Sequence, residues 1–261
     1  MNSGMKERME QLAKQTNIKV GDDSPTYDYG KYCDHTVVRG YTSRDIVKKF
    51  CDEGKEYNVF AVCVTPIHAK FVKEQLKGTD IKTCISIGFP LGANKPQTKA
   101  FEARLAIEDG ADEVEMVINV GALRDKNYEL VYEDIKGVVD VGAELGAVVK
   151  VIIETCYLSN YEKIMAVILC ELAGADYIKT STGMGTGNAT VEDIYLIGNV
   201  IKRIGSKMKI KASGGIETQK QAEKMLFAGA DRLGLSKAKQ VVTGDDAAVS
   251  ASSENQPPKF V

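Results

Sequence analysis

The sequence alternates eight times between a short apolar run and a longer stretch with helical periodicity. The runs at 58–64 and 148–154 consist largely of apolar and β-branched residues, which is typical of strands buried on both faces of a parallel sheet. The stretches between such runs, for example 42–51 and 191–204, carry apolar residues at helical spacing and are expected to be helices that cover the sheet. Eight such units close into a (β/α)8 TIM barrel of roughly 250 residues. The 261-residue chain is therefore predicted to be an α/β protein with a single barrel domain.

A short internal repeat supports this architecture. Gly-Ala-Asp occurs at 110–112, 174–176 and 229–231, each time after an apolar helix and before the strands counted as four, six and eight. Glycine at that position fits the left-handed residue that ends a helix. Gly-Ala is common at helix-to-strand junctions, but three copies in one register favour a barrel over a doubly wound sheet.

Three segments are expected along the chain. An N-terminal extension over residues 1–29 contains a weak helical pattern at 5–16, the barrel occupies 30–243, and a tail over 244–261 has a composition typical of flexible segments. The first 23 residues are polar and charged and contain no apolar core of a secretion signal. This predicts a cytoplasmic protein.

Charge and composition argue against several classes of function. A net charge of −2 and a pI near 5.9 argue against nucleic acid or an anionic membrane as the partner. No run reaches the roughly 18 apolar residues of a membrane span. The six cysteines form no Cys-x-x-Cys pair and are expected to be reduced, mostly packed thiols. Only two histidines are present, His35 and His68, which argues against a His-based metal centre or triad.

Charged residues lie inside several predicted strands, where apolar side chains are usual. Grouped by the strand face they share, they are Glu113 with Glu115, Lys150 with Glu154, and Lys207 with Lys209 and Lys211, together with Lys179 at the end of its strand. If these side chains point inward, the barrel interior holds a cluster of lysines and glutamates. Such a cluster must be paired and hydrogen-bonded to be tolerated.

Two interpretations of the cluster stay open. It can be a structural ionic layer, and a lone strand-end lysine such as Lys179 can also reach solvent. Alternatively, Lys179 and Lys211 lie roughly 5 Å apart on neighbouring strands and lower each other's pKa, because a like charge disfavours the ammonium form. One amine then becomes a nucleophile that attacks a carbonyl near neutral pH.

Three glycine-rich loops suggest that an anion binds at the same end of the barrel. They cover 183–187, 213–215 and 234–237, and each follows a predicted strand and precedes a helix. Such loops offer backbone N–H groups and helix N-termini to a phosphate, and the loops after strands seven and eight are the usual phosphate site of a barrel.

A series of motifs, in order from about residue 30 to 242, resembles the deoxyribose-phosphate aldolase family. The motifs are Asp34-His35-Thr36, Cys63-Val64-Thr65-Pro66, Ile87-Gly88-Phe89-Pro90-Leu91-Gly92, Gly110-Ala111-Asp112-Glu113-Val114, Lys150-Val151-Ile152-Ile153-Glu154-Thr155, Lys179-Thr180-Ser181-Thr182-Gly183 and Lys211-Ala212-Ser213-Gly214-Gly215-Ile216. The resemblance implies a class I aldolase without metal or other cofactor. Such an enzyme reversibly cleaves 2-deoxy-D-ribose 5-phosphate into acetaldehyde and D-glyceraldehyde 3-phosphate.

The resemblance also implies roles for individual residues. Lys179 corresponds to the Schiff-base lysine, Lys211 to the neighbour that lowers its pKa, and Glu115 to the carboxylate that moves protons. Lys150 would balance the carboxylate charge. The remaining implied substrate contacts are Asp34 and Cys63 in the pocket, and Gly183, Gly214, Gly215 and Ser236 at the phosphate. The implied partners are a small phosphorylated sugar and aldehydes, with a homodimer or a higher homo-oligomer as the assembly.

The chain departs from the family pattern at several positions. Glu115 stands where aspartate is usual, Glu217 stands where a basic residue follows Gly-Gly-Ile, and Lys237 replaces the second serine of a Gly-x-Ser-Ser loop. Residues 37–40 read Val-Val-Arg-Gly where Leu-Leu-Lys-Pro is usual, and Phe260 is the nearest aromatic to the family's C-terminal tyrosine. Three alternatives therefore remain: the family's own reaction, a related Schiff-base aldolase with another acceptor aldehyde, or a non-catalytic sugar-phosphate-binding relative.

Overall fold

Eight parallel strands close into a barrel in the computed structural model, which describes residues 27–245. The strands follow one another around the barrel in chain order, from β1 to β8, and β8 pairs with β1. Their bounds are β1 Cys33–Val37, β2 Ala61–Val64, β3 Lys82–Ile87, β4 Glu113–Val117, β5 Val148–Ile152, β6 Tyr177–Lys179, β7 Lys209–Ser213 and β8 Arg232–Leu235. The predicted (β/α)8 TIM barrel is confirmed.

Helices cover the outside of the barrel. Their bounds are α1 Arg44–Glu56, α2 Ala69–Gln75, α3 Pro96–Glu108, α4 Val120–Arg124, α5 Tyr128–Leu145, α6 Asn160–Ala173, α7 Val191–Ile204, α8 Gln219–Phe227 and α9 Ala238–Thr243, and 3-10 segments occupy Tyr29–Tyr32, Pro66–His68 and Thr155–Tyr157. Helix α1 overlaps the predicted helical stretch 42–51, and Ser43 caps it by accepting a hydrogen bond from the Ile46 N–H at 3.4 Å. The short helix α4 was not predicted, because the apolar pattern of β4 continues into it.

The Gly-Ala-Asp repeat fixes the register of the barrel at its amino-terminal end. Its three glycines have φ values of 105°, 87° and 111°, which confirms the predicted helix-ending role. Each aspartate also binds the strand that precedes the repeat. Carboxylates of Asp112, Asp176 and Asp231 accept hydrogen bonds from the backbone N–H groups of Thr83 in β3, Val149 in β5 and Ile210 in β7 at 2.9, 2.8 and 2.8 Å. The same three strand residues accept hydrogen bonds from the aspartate N–H groups.

The apolar core lies between the barrel and its helices, whereas the barrel interior is largely polar. Residues such as Val114, Ile135 and Ile178 are fully buried in the outer layer. None of the helices between residues 27 and 245 has the length and apolar character needed to cross a membrane. The predicted helical extension before residue 27 and the predicted tail beyond residue 245, including Phe260, lie outside the described residues.

Candidate active site

Lys179 and Lys211 lie side by side in the barrel interior, as predicted. They are direct partners in the register of β6 and β7, and their side chains are 1% and 0% exposed. Space for Lys211 depends on Gly234 in β8, because a Cβ there would lie 2.9 Å from Lys211 Cε. The pairing of β6 with β7, together with the space left by glycine at position 234, places two amines in one buried pocket.

Glu115 bridges the two lysines. Its Oε1 accepts a hydrogen bond from Lys179 Nζ at 2.6 Å, and its Oε2 accepts one from Lys211 Nζ at 2.7 Å. Burial acts to raise the pKa of Glu115, but the lysine charges outweigh it and hold that pKa well below its usual value. Cys63 Sγ also donates to Glu115 Oε1, at 3.1 Å. The carboxylate is therefore ionised and in direct reach of both amines.

Asp34 is a second bridging carboxylate, deeper in the barrel. Its Oδ2 lies 2.7 Å from Lys150 Nζ and 2.5 Å from Lys211 Nζ, and its Oδ1 lies 2.8 Å from an Arg232 guanidinium nitrogen. Burial opposes ionisation of Asp34, yet these cations hold its pKa well below the usual range. Asp34 is thus engaged in ion pairs with three cations, and its implied role as a substrate contact stays a prediction.

Lys211 is held in its charged form by its two carboxylates. Burial acts to lower its pKa, but Asp34 and Glu115 outweigh burial and raise the pKa above its ordinary value. Lys150 behaves similarly, because Asp34 and Glu113 surround its ammonium group. Both lysines are fixed cations of the site.

Of the three β7-region lysines that share a face, only Lys211 lies inside. Lys207 and Lys209 are exposed, so the condition for the interior cluster, an inward-pointing side chain, is not met at these two positions. Lys209 is the first residue of β7 and Lys207 precedes that strand, so both side chains lie at the amino-terminal mouth of the barrel, where their ammonium groups remain in water.

An open cavity of about 360 Å³ lies at the carboxyl ends of the strands. Thr182 and Ser213, which follow Lys179 and Lys211 along the chain, line it. All four predicted phosphate residues line the same cavity, namely Gly183, Gly214, Gly215 and Ser236. The sequence therefore identified one continuous surface from three separate loops.

Glycine at 215 is required by the shape of this cavity. Its φ is +71°, and an added Cβ would lie 2.9 Å from the Asn188 side chain. Asn188 lines the cavity as well, but no sequence feature had identified it. Its loop depends on Glu154, a left-handed residue with φ 51° whose buried carboxylate accepts hydrogen bonds from the backbone N–H and the hydroxyl of Thr182.

Two charged residues of opposite sign line the cavity. Arg39 occupies the position where the family pattern has lysine, and its guanidinium lies 3.6 Å from Met184 Sδ. Glu217 is also part of the lining of this cavity. Lys237 precedes α9 as its N-cap residue and is not among the lining residues described. A cation and a carboxylate thus both line this cavity.

Arg232 is a site residue that sequence reasoning missed. It lies in β8, is 4% exposed, and its guanidinium stacks on the Phe60 ring at 3.3 Å. Burial opposes its charge, but Asp34 and Glu113 raise its pKa further above the ordinary value. A signal was available, since Arg232 begins the apolar run at 232–235 and is another charge inside a predicted strand.

Two groups of side chains within the described residues have metal-ligand spacing. They are Cys63, Cys84 and Glu115, and Asp34, Cys84 and Glu113, with ligand atoms within 4.8 Å of one another in each group. Lysine ammonium groups already bind the carboxylates of both, Lys179 and Lys211 in the first and Lys150 in the second. Lysines thus supply the positive charge that a metal would bring.

Comparisons with known proteins agree with this geometry. The family model described as DeoC/LacD family aldolase matches residues 31–236. A deoxyribose-phosphate aldolase of Thermococcus gammatolerans is 52% identical over 219 residues, which cover 83% of this chain and 96% of the relative. One of Thermotoga maritima is 50% identical over 227 residues, covering 87% and 90%. The tetrameric deoxyribose phosphate aldolase of Aeropyrum pernix superposes with a TM-score of 0.78 at 28% identity, covering 92% of this chain and 98% of that one. The chain belongs to the DeoC/LacD family of aldolases.

Proposed function

We propose that this protein is a deoxyribose-phosphate aldolase that reversibly cleaves 2-deoxy-D-ribose 5-phosphate to acetaldehyde and D-glyceraldehyde 3-phosphate, with Lys179 as the Schiff-base residue. The observation that carries the proposal is the unequal pairing of the three interior lysines. Within the described part of the chain, Lys150 and Lys211 each contact two carboxylates, whereas Lys179 contacts one.

This unequal pairing selects Lys179 as the nucleophile. An ammonium between two carboxylates is strongly favoured, and one with a single partner beside another cation is favoured least. Lys179 is therefore the interior lysine whose ammonium form has the fewest carboxylate contacts. Its amine lies at the end of β6, next to the cavity-lining loop that begins at Thr182.

The reaction then follows from the contacts of Glu115. The neutral Lys179 amine adds to the carbonyl carbon of the open-chain sugar, and loss of water gives an iminium. The iminium at C1 withdraws electrons as the C3 hydroxyl gives up its proton and the C2–C3 bond, between the α- and β-carbons, breaks. D-glyceraldehyde 3-phosphate departs and an enamine of acetaldehyde remains, which is protonated and hydrolysed. Glu115, directly or through a water, is the group in reach to carry these protons.

The cavity lining supports binding of the phosphorylated end. Gly183, Gly214, Gly215 and Ser236 contribute loop backbone at the mouth, and Arg39 contributes a cation. We assign Asp34, Lys150 and Cys63 to the buried polar side of the substrate pocket, below the reacting carbon. We assign the catalytic unit to residues 30–243 and expect a homo-oligomer, in line with the tetrameric relative.

Borohydride trapping with acetaldehyde tests the proposal. The wild-type chain is expected to gain one reduced two-carbon adduct on the peptide that contains Lys179, as located by mass mapping. Lys179→Leu should abolish the adduct, whereas the matched control Lys209→Leu, at the exposed start of β7, should retain it. Absence of any adduct on the wild-type protein would reject Schiff-base chemistry and leave a sugar-phosphate-binding protein.

A second candidate, an aldolase for a different acceptor, is favoured by Glu217. A carboxylate in the lining of the cavity repels a phosphate and tolerates an uncharged hydroxyaldehyde. Comparison of kcat/KM for addition of acetaldehyde to D-glyceraldehyde 3-phosphate and to D-glyceraldehyde separates the two. A preference for the unphosphorylated acceptor would establish the second candidate.

A further inference from the structure

Arg232 lies at the opposite end of a continuous series of hydrogen-bonded contacts that starts at Lys179. From Lys179 the series runs to Glu115 at 2.6 Å, then to Lys211 at 2.7 Å, to Asp34 at 2.5 Å and to Arg232 at 2.8 Å. Arg232 itself does not reach the cavity residues that follow Lys179. Its influence on the nucleophile must therefore pass through the charges between them.

The interior network contains more cationic side chains than carboxylates. Among its described members, four cations face three carboxylates: Lys150, Lys179, Lys211 and Arg232 against Asp34, Glu113 and Glu115. A buried network with excess charge is unfavourable, and loss of one proton restores neutrality. Arginine does not lose its proton in proteins, so the proton must come from a lysine. Without Arg232 the three lysines would match the three carboxylates, and all could stay charged.

We propose that Arg232 is a positioning residue that keeps the network one positive charge in excess and thereby holds Lys179 in its uncharged, nucleophilic form. This inference rests on the proposed Schiff-base function of Lys179. Among the described contacts Arg232 has none with Lys179, and it is not part of the lining of the carboxyl-terminal cavity. It acts through Asp34, whose other oxygen binds Lys211.

Charged and polar groups from several strands face Lys179 and Arg232, the two ends of the series. Lys179 faces Glu115 from β4 and Lys211 from β7, with Cys63 from β2 donating to the same Glu115 oxygen. Arg232 faces three further groups besides Asp34: Glu113 of β4 at 3.6 Å, the Tyr177 hydroxyl of β6 at 3.2 Å, and the Phe60 ring. Glu113 and Arg232 are thus opposite charges in one network, and neither is placed in the reacting pair.

The test is the pH dependence of iminium formation, measured as the initial rate of cyanoborohydride-trapped adduct on Lys179 with acetaldehyde. Arg232→Gln removes one positive charge and is expected to move the acid limb of the profile upward by about one pH unit, the lower end of the range for a neighbouring charge. Rates below the limb then fall about tenfold. Glu113→Gln removes one negative charge and is expected to move the limb downward. Arg232→Lys keeps the charge, and Phe60→Leu removes the stacking without changing charge, so both should leave the limb near its wild-type position.

Opposite shifts in the two charge variants would support the inference, because structural damage has no reason to change sign with charge. The inference is overturned if Lys179 is still trapped in both variants but the acid limbs of their pH profiles stay in place or move in the same direction. If Arg232→Gln does not fold, Glu113→Gln decides alone: a downward shift supports the inference and any other result overturns it. Failure of the wild-type protein to form an adduct would instead reject the proposed function, so the two failures are distinct.

Discussion

Replacement of Glu115 by glutamine separates two tasks that the structure gives to one carboxylate. The variant keeps the size of the side chain and removes its charge. Glutamine has one acceptor oxygen and an NH2 group, so it cannot accept from Lys179 at 2.6 Å and from Lys211 at 2.7 Å at once. One of the two amines loses its acceptor, and the proton carrier proposed for C–C cleavage is lost entirely.

The expected effect differs between the two halves of the reaction. Loss of general acid–base catalysis should lower kcat by about 10²–10⁴-fold, which corresponds to roughly 3–5.5 kcal/mol of transition-state stabilisation. Formation of the Lys179 iminium should persist, because removal of a carboxylate disfavours the competing ammonium form. The variant should therefore trap acetaldehyde on Lys179 while turning over slowly.

Turnover of 2-deoxy-D-ribose 5-phosphate, coupled to oxidation or reduction of a released aldehyde, gives kcat, and borohydride trapping gives the iminium. Glu113→Gln is the matched control, since it removes the same charge two residues away on β4 from a side chain that binds Lys150. The kcat of Glu113→Gln, measured on the plateau of that variant's pH profile, should stay within about tenfold of the wild-type value. Turnover by Glu115→Gln within tenfold of the wild type would refute the assignment of Glu115 as the proton carrier, whatever the trapping shows.

Three further predictions concern stability and specificity. Lys99 Nζ lies 2.7 Å from Asp134 Oδ2, and both side chains are fully buried. Lys99→Met should therefore lower the free energy of unfolding by about 3–5 kcal/mol, and adding Asp134→Leu should recover most of that loss. Urea denaturation measures both effects, and an unchanged midpoint for Lys99→Met would contradict the prediction. The pKa values of Asp34 and Glu115 are lowered in the folded protein. The stability that these carboxylates contribute is present above their ordinary pKa values and is lost as the pH falls toward their pKa values in the folded state, so Tm should decline below about pH 4. A Tm that stays flat from pH 5 to 3 would argue against a charged interior. Glu217→Gln should lower KM for D-glyceraldehyde 3-phosphate about two- to fivefold, the scale of an exposed charge interaction, whereas Glu223→Gln on the neighbouring helix α8 should not.

Local patterns predicted most of the framework. The strand within 148–154, the helix at 191–204 and the helix-ending glycines of the repeat all depend on residues close in sequence, and the structure confirms them. The three glycine-rich loops meet at one cavity because parallel strands end at one face.

Contacts across the barrel could not be predicted in the same way. Asp34 meets Lys211 and Arg232 across 177 and 198 residues of sequence, and such contacts depend on closure and shear rather than on spacing. Strand alternation also assigned Lys209 and Lys211 to one face, but it did not show which lies at the amino-terminal end of the barrel and which in the interior. Asn188 lies in a loop whose position depends on the left-handed Glu154 and its bonds to Thr182, a conformation that sequence pattern does not reveal.

The aspartates of the Gly-Ala-Asp repeat have a consequence for how such a protein can change. Asp112, Asp176 and Asp231 bind β3, β5 and β7 at the amino-terminal rim, whereas the cavity is built by loops at the opposite rim. Strand alignment is therefore secured by contacts outside the lining of that cavity. Replacement or lengthening of the 183–187 or 234–237 loop should alter acceptor preference without realigning the lysines, which makes this barrel well suited to the evolution or engineering of new aldol specificities.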